Sequence, residues 1–252
     1  AWALIGAFTG YVALFDVGLS SSYAKYVAQH AAEDRPEAIS RVVSTGFFFY
    51  LALGAALVAA GWLCIDGLLP AAVRVLGGAD LDSALRRDLR FLLKWALVLF
   101  CAANCVTAFT AVQTGLQRMG VTNALSFVSS LAKLGATIAF VEAGHGVRAL
   151  LYGDACAFAV FAAGSVAAAF VLQPGLRVSP RLVDGPTFRR LANFGWKTQV
   201  ARLSNLVMFQ TDKVVAGVVF GGLGLVGLYE LGTMWANRLR QIPALLLTAL
   251  VP

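Results

Sequence analysis

With 252 residues, 59% of them hydrophobic and only 13% charged, the chain departs from the roughly half-apolar, quarter-charged make-up of soluble domains. Its 17 Phe, 25 Gly and mean hydropathy of +0.77 exclude a soluble all-α protein and point to a polytopic helical membrane protein. The net charge of +7 does not mark a nucleic-acid binder, because the basic residues are scattered among oily segments and form no single patch.

A helix needs about 20 mainly apolar residues to cross the ~30 Å hydrocarbon core. Seven segments meet that length: residues 2–28, 42–65, 91–115, 121–142, 148–172, 192–219 and 224–250. On the first, Thr9, Asp16, Ser20 and Tyr23 line up on one side. After it comes the polar stretch "HAAEDRPEAISR". The second span leads into the longest external segment, "DGLLPAAVRVLGGADLDSALRRDLR", within which "ADLDSALRRDLR" predicts a capped surface helix. The third span carries a loose stripe of Thr107, Thr110, Thr114, Gln117 and Arg118 and ends at the turn "QRMG".

On the fourth span, Thr122, Asn123, Ser126, Ser129, Ser130, Lys133 and Thr137 fall within an arc of about 120° when residues are placed 100° apart. The fifth follows the turn "EAGHG" and leads into "QPGLRVSPRLVDGPTFRR", whose three prolines and two glycines give the strongest boundary signal in the chain. An N-terminal lobe over residues 1–175 and the start of a C-terminal lobe over 176–252 are expected on its two sides. On the sixth span, Thr198, Gln199, Arg202, Asn205, Gln210, Asp212 and Lys213 share about 160°. On the seventh, Tyr229, Glu230, Thr233, Asn237, Arg240 and Gln241 share about 120°. The chain begins inside an apolar run without Met and stops at "LLLTALVP", which suggests an internal piece of a longer protein.

Orientation follows from Lys and Arg. One set of alternating loops and helix ends holds Lys25, Arg35, Arg41, Arg118, Arg177, Arg181, Arg189, Arg190 and Lys197; the opposite set holds Arg74, Arg86, Arg87, Arg90, Lys94 and Arg148. Nine against six places the 29–41, 116–120 and 173–191 loops on the cytoplasmic side. The four cysteines, Cys64, Cys101, Cys105 and Cys156, lie in apolar stretches without metal-ligand spacing, so neither a metal nor a cofactor is expected.

Magnitudes decide what the stripes mean. At full depth a central Arg, Lys or Asp costs ~2.5–3.5 kcal/mol, so Arg202, Asp212 and Lys213 together would cost ~8–10 kcal/mol. Ten or so apolar residues at ~0.3–0.6 kcal/mol each return less than that. A helix surrounded by lipid would not tolerate the deficit, so the stripe faces protein or water. Single Ser and Thr residues usually do no more than join helices, for well under ~2 kcal/mol each. Five spans with continuous polar faces instead suggest a shared polar cavity.

Three phrases carry a resemblance. "LFDVGLSSSYAKYVAQHAAEDRPEAISRVVSTGFFFYLALG", "VQTGLQRMGVTNALSFVSSLAKLG" and "QTDKVVAGVVFGGLGLVGLYELG" resemble, in that order, three helix-and-turn regions of Wzx-type polysaccharide and O-antigen flippases. These belong to the MOP superfamily, which also holds the MATE exporters and the lipid II flippases. The resemblance covers about residues 2 to 252. It implies an all-α MOP fold that here lacks the first helix and the C-terminal helices, and two lobes around a central cavity with alternating access. It further implies a multi-pass protein of the bacterial inner membrane that is not an enzyme. The function it implies is translocation of an undecaprenyl-pyrophosphate-linked oligosaccharide for polysaccharide biosynthesis. Its partners would be that lipid-linked glycan, membrane lipids, glycan-assembly proteins and a coupling ion, Na⁺ or H⁺.

Under that resemblance Lys133, Arg202, Lys213, Arg238 and Arg240 are the candidates for the headgroup phosphates. Asn123, Asn205, Gln210 and Asn237 could hydrogen-bond sugar hydroxyls, and Asp16, Asp212 and Glu230 are candidates for ion coupling. The nearest rival is a cation-coupled MATE-type multidrug exporter, which would favour acids in the cavity; Asp16, Asp154, Asp212 and Glu230 are available. A membrane transferase could use Asp80 and Asp82 in "DLD", but an acidic residue at a helix start is routine. A purely structural bundle is the remaining alternative.

Overall fold

The computed structural model describes residues 19–75, 83–200 and 204. Among them the helices are α1 (Leu19–Ala32), α2 (Pro36–Val75), α3 (Ser83–Gly115), α4 (Met119–Glu142) and α5 (Arg148–Leu172), then a 3₁₀ turn (Pro180–Leu182) and a helix α6 over residues 185–200. All described regular structure is helical. Four helical stretches are long and apolar enough to cross a membrane: Pro36–Gly67, Arg90–Gly115, Met119–Glu142 and Arg148–Leu172. They coincide with the expected spans 42–65, 91–115, 121–142 and 148–172. Residues 19–28 of the first expected span form most of α1; the rest of that span, most of the sixth and all of the seventh lie outside the described residues.

Three of the described turns between helices share one local device. The chain passes through a left-handed residue at Asp34 (φ 51°), Gln117 (φ 57°) and Gly144 (φ 82°). At each, the next amide closes a six-residue loop onto the preceding helix: Arg35 N–H to His30 O, Arg118 N–H to Gln113 O and His145 N–H to Phe140 O. These bonds satisfy carbonyls that a helix end otherwise leaves unpaired, and they let antiparallel helices follow one another within a few residues. Pro36 then opens α2 at a position where the lost N–H costs nothing.

Two expectations need correction. "ADLDSALRRDLR" is not a separate surface helix: from Ser83 onward it forms the first turns of α3, which continues unbroken to Gly115. Nothing in Ser83–Gly115 breaks a helix once nucleated, so it propagates. Likewise α2 starts six residues before the expected span and continues past Gly67 and Pro70 to Val75, so "DGLLPAAVRV" is helical.

The core lies where α1, α2 and α3 meet, with Tyr23, Val27, Val43, Tyr50, Phe109 and Val112 buried in one cluster. Tyr23 and Tyr50 meet edge to face at 5.9 Å, and Phe47 meets Phe109 at 5.7 Å. Small residues let the backbones approach, as is common where helices pack in lipid. A Cβ at Gly46 would stand 2.6 Å from the Tyr23 ring, and one at Gly115 would stand 2.6 Å from Val27 Cγ1. Helix α5 packs against α3 and against α4, whose crossings use Gly153 against Thr137 and Gly164 against Leu125.

The segment after α5 is fastened rather than free. Buried Ser40, Ser44 and Thr45 on α2 bond its backbone in succession: Arg177 N–H donates to Ser40 Oγ (3.1 Å), Ser44 Oγ–H to Arg177 O (3.1 Å), Ser179 N–H to Ser44 Oγ (3.2 Å) and Asp184 N–H to Thr45 Oγ1 (3.3 Å). Leu176 and Leu191 join the core, and Ser22 Oγ–H on α1 donates to Leu191 O at 3.0 Å. The described residues fall almost wholly in the first of two compact units, Ala1–Gln199, the second being Val200–Pro252.

Candidate functional site

Two expected stripes are described in full, the polar arc of α4 and the looser row on α3. None of α4 is buried, although it packs along α5. Its apolar flank, with Phe127, Leu131, Leu134 and Ile138, is exposed as a lipid-facing surface would be. Asn123, Ser126, Ser130 and Lys133 are exposed on the polar arc, while Thr122, Ser129 and Thr137 are half-buried towards the neighbouring helices. Ser129 and Ser130 both donate to the Ser126 carbonyl, at 2.9 and 2.8 Å. Their hydroxyls are thereby satisfied within α4 and do not join it to another helix, and each oxygen keeps lone pairs for an outside donor.

Lys133 lies close to the midpoint of the 24-residue α4, about 21 Å along the axis from Met119 and about 13 Å from Glu142. In a helix of this length crossing a ~30 Å hydrocarbon core, such a position falls well inside the apolar layer. Its Nζ sits 2.5 Å from Asp154 Oδ1 on α5, the two side chains 47% and 32% exposed. Gly153, beside Asp154, is what lets the helices close: any Cβ there would overlap Thr137 Oγ1, one turn along α4 from Lys133. The pairing halves the problem of two charges at a depth where each alone is expensive.

A second polar group is wholly buried. Gln113 of α3 is 0% exposed, donates from Nε2 to Ser165 O of α5 (3.0 Å) and accepts from Thr122 Oγ1 of α4 at 2.7 Å. One side chain thus ties three helices. The expected α3 stripe turns inward on its own helix: Thr107 Oγ1 donates to Ala103 O, Thr110 Oγ1 to Thr107 O and Thr114 Oγ1 to Thr110 O.

The two ends of the bundle differ in charge. At the end holding the 143–147 turn, Lys94 and Arg90 pair with Asp66 (2.6 and 3.5 Å) and Arg148 pairs with Asp88 at 2.6 Å. At the opposite end Arg35 pairs with Glu33 at 3.4 Å, while Arg41, Arg177, Arg181, Arg189 and Arg190 make no ion pair among the described residues. A cavity of about 540 Å³ lined by Gly185, Pro186, Arg189, Arg190 and Asn193 opens there. Asp184 caps α6 by accepting from Thr187 N–H (3.1 Å) and Thr187 Oγ1 (2.6 Å). Those bonds from Thr187, with Arg41 and Arg190 nearby, hold its carboxyl below the usual carboxylate range.

Of the expected site residues, the described part of the chain contains Lys133 and Asn123, both on the exposed arc of α4. Arg202, Asn205, Gln210, Lys213, Asn237, Arg238 and Arg240, with Asp16, Asp212 and Glu230, lie outside the described residues. Sequence reasoning missed three things: Asp154 as the partner of Lys133, the buried Gln113 relay and the Ser40–Ser44–Thr45 row. A signal existed for the first, since Lys133 is the sole charge between Met119 and Val141 and Asp154 the sole charge between Ala149 and Leu172.

A family profile described as "Polysaccharide biosynthesis protein" matches residues 3–252. No curated protein and no solved structure matches the chain.

Proposed function

The chain belongs to the polysaccharide biosynthesis protein family, and from that premise we propose that it carries a lipid-linked oligosaccharide across a membrane. The observation that carries this reading is the half-exposed Lys133 at mid-bilayer depth on an α4 face lined with Asn123, Ser126 and Ser130. Such a face suits sugar hydroxyls and phosphate better than acyl chains. The substrate in this reading is an undecaprenyl-pyrophosphate-linked glycan and the membrane is the bacterial inner membrane. The protein acts as a transporter and not as an enzyme.

The glycan and pyrophosphate cross within the polar cavity while the lipid tail stays in the bilayer. An N-terminal lobe and a C-terminal lobe rock to open the cavity on either side, as in other two-lobed transporters. In this scheme Lys133, Arg202, Lys213, Arg238 and Arg240 hold phosphate. Asn123, Asn205, Gln210 and Asn237 hold sugar, and Asp16, Asp212 and Glu230 serve ion coupling. Replacing Arg202 and Lys213 together by Gln in the full-length protein abolishes glycan export in a complementation assay while membrane insertion is kept; unchanged export removes both from the site.

A further inference from the structure

Between residues 95 and 117 α3 carries no charged side chain; between Met119 and Val141 α4 carries only Lys133; between Ala149 and Leu172 α5 carries only Asp154. The single cation and the single acid of these three spans meet at 2.5 Å. They do so on the margin of the exposed polar arc and not in a dry seam, since the two side chains keep 47% and 32% of their surface open. Close by, Thr137 Oγ1 is buried without a hydrogen-bond partner among the described residues and lies against Gly153.

We propose that Asp154 is a monovalent-cation site that Lys133 keeps closed until a phosphate draws the lysine away. This rests on the reading of Lys133 as a phosphate ligand. An ammonium ion bonded to one carboxylate oxygen can be taken over by a phosphate, which presents several anionic oxygens to it. Asp154 would then stand as a bare carboxylate deep in the bilayer, a costly state. One proton or one Na⁺ restores neutrality, by bonding a carboxylate oxygen or by coordination to it with Thr137 Oγ1 as a neighbouring oxygen donor. Charge balances: Lys133 exchanges one anionic partner for another, and Asp154 exchanges the ammonium ion for the incoming cation. Linkage requires the converse, so the cation strengthens phosphate binding by the same factor. Titratable neighbours on the packed helices are Tyr152 and Cys156 on α5 and Cys101 and Cys105 on α3, with Glu142, His145 and Arg148 at the hairpin end.

The test is calorimetric titration of the full-length protein, in phosphatidylcholine nanodiscs, with a C15 prenyl pyrophosphate. One arm varies pH from 6 to 8 without Na⁺; the other varies Na⁺ against choline at fixed pH and ionic strength. In the wild type, affinity rises by up to about tenfold per tenfold increase of H⁺ or of Na⁺, and the arm that responds identifies the cation. Asp154→Asn binds at least as tightly as the wild type and loses that response. Asp154→Glu keeps both the pair and the response, and Lys133→Gln binds at least tenfold more weakly. A wild-type response equal to that of Asp154→Asn in both arms overturns the cation site while leaving the phosphate reading intact. Failure of the wild type to bind the probe overturns both.

Discussion

Helices α3 and α4 are neighbours in sequence and both oily enough to cross a membrane, yet 44% of the apolar 18-residue stretch of α3 is buried and none of that of α4. Their polar residues differ accordingly. On α3 each hydroxyl of the Thr107–Thr110–Thr114 row is returned to its own backbone, and Gln113 is bonded on both sides to α4 and α5. On α4 Ser129 and Ser130 likewise bond their own backbone, but Asn123, Ser126, Ser130 and Lys133 stay exposed on one face, and the row includes a charge. A stripe on a helical wheel is therefore not one kind of object. Where a helix is enclosed by others a side chain such as Gln113 is consumed in holding the bundle; where it lines the margin its polar groups remain available to something else.

This comparison can be broken at several points. The largest effect is expected at Gly153→Leu. The new side chain overlaps Thr137, which prises α4 from α5 and parts Lys133 from Asp154. Overpacking of this kind costs about 1–3 kcal/mol, and loss of the ion pair adds to it, read as a fall in the thermal midpoint in detergent. Gln113→Leu comes next. It removes the donor to Ser165 O and the acceptor of Thr122 Oγ1, leaving groups between three helices unpaired, for about 1–3 kcal/mol by the same measurement. If Gln113→Leu proves neutral, α3 polarity is not structural and the contrast with α4 fails.

Ser40→Ala with Ser44→Ala sharpens the comparison at the loop end. It releases the 177–179 backbone from α2, for about 1–2 kcal/mol in all, and limited proteolysis between residues 176 and 184 should accelerate several-fold. The smallest effect concerns Asp184. Because its carboxyl is held low by Thr187 in the folded protein, its contribution is present above the unfolded carboxylate pKa of about 4 and is lost as pH falls through the lower folded value. Below about pH 4 the wild type should therefore lose a slight stability advantage over Asp184→Asn that it holds at pH 7. An advantage that survives acid would assign it to something other than this charge.

The sequence made the four described spans legible because length and apolar content are local properties. The α4 arc was legible for the same reason, being a periodicity within one helix. What escaped needed the register between helices. Lys133 and Asp154 pair only because the turn through Gly144 sets α5 back along α4 by a particular number of residues. Ser40, Ser44 and Thr45 read as the ordinary polar start of a helix, and nothing local says that the segment from 177 to 184 will lie along them. The start of α6 is legible in the sequence: "DGPT", inside the stretch expected as loop, supplies an Asp cap, a proline in the first turn and a Thr whose N–H meets the cap.

The central claim is that the polar arc of α4 faces water while its apolar flank faces lipid. Single cysteines placed at Ser126 and Ser130, and at Phe127 and Leu131, in a cysteine-free version of the full-length protein measure it directly, using a membrane-impermeant thiol reagent in intact membranes. Labelling at 126 and 130, reduced by a bound prenyl-pyrophosphate ligand, with none at 127 and 131, is the predicted result. Equal protection of all four positions would contradict the account.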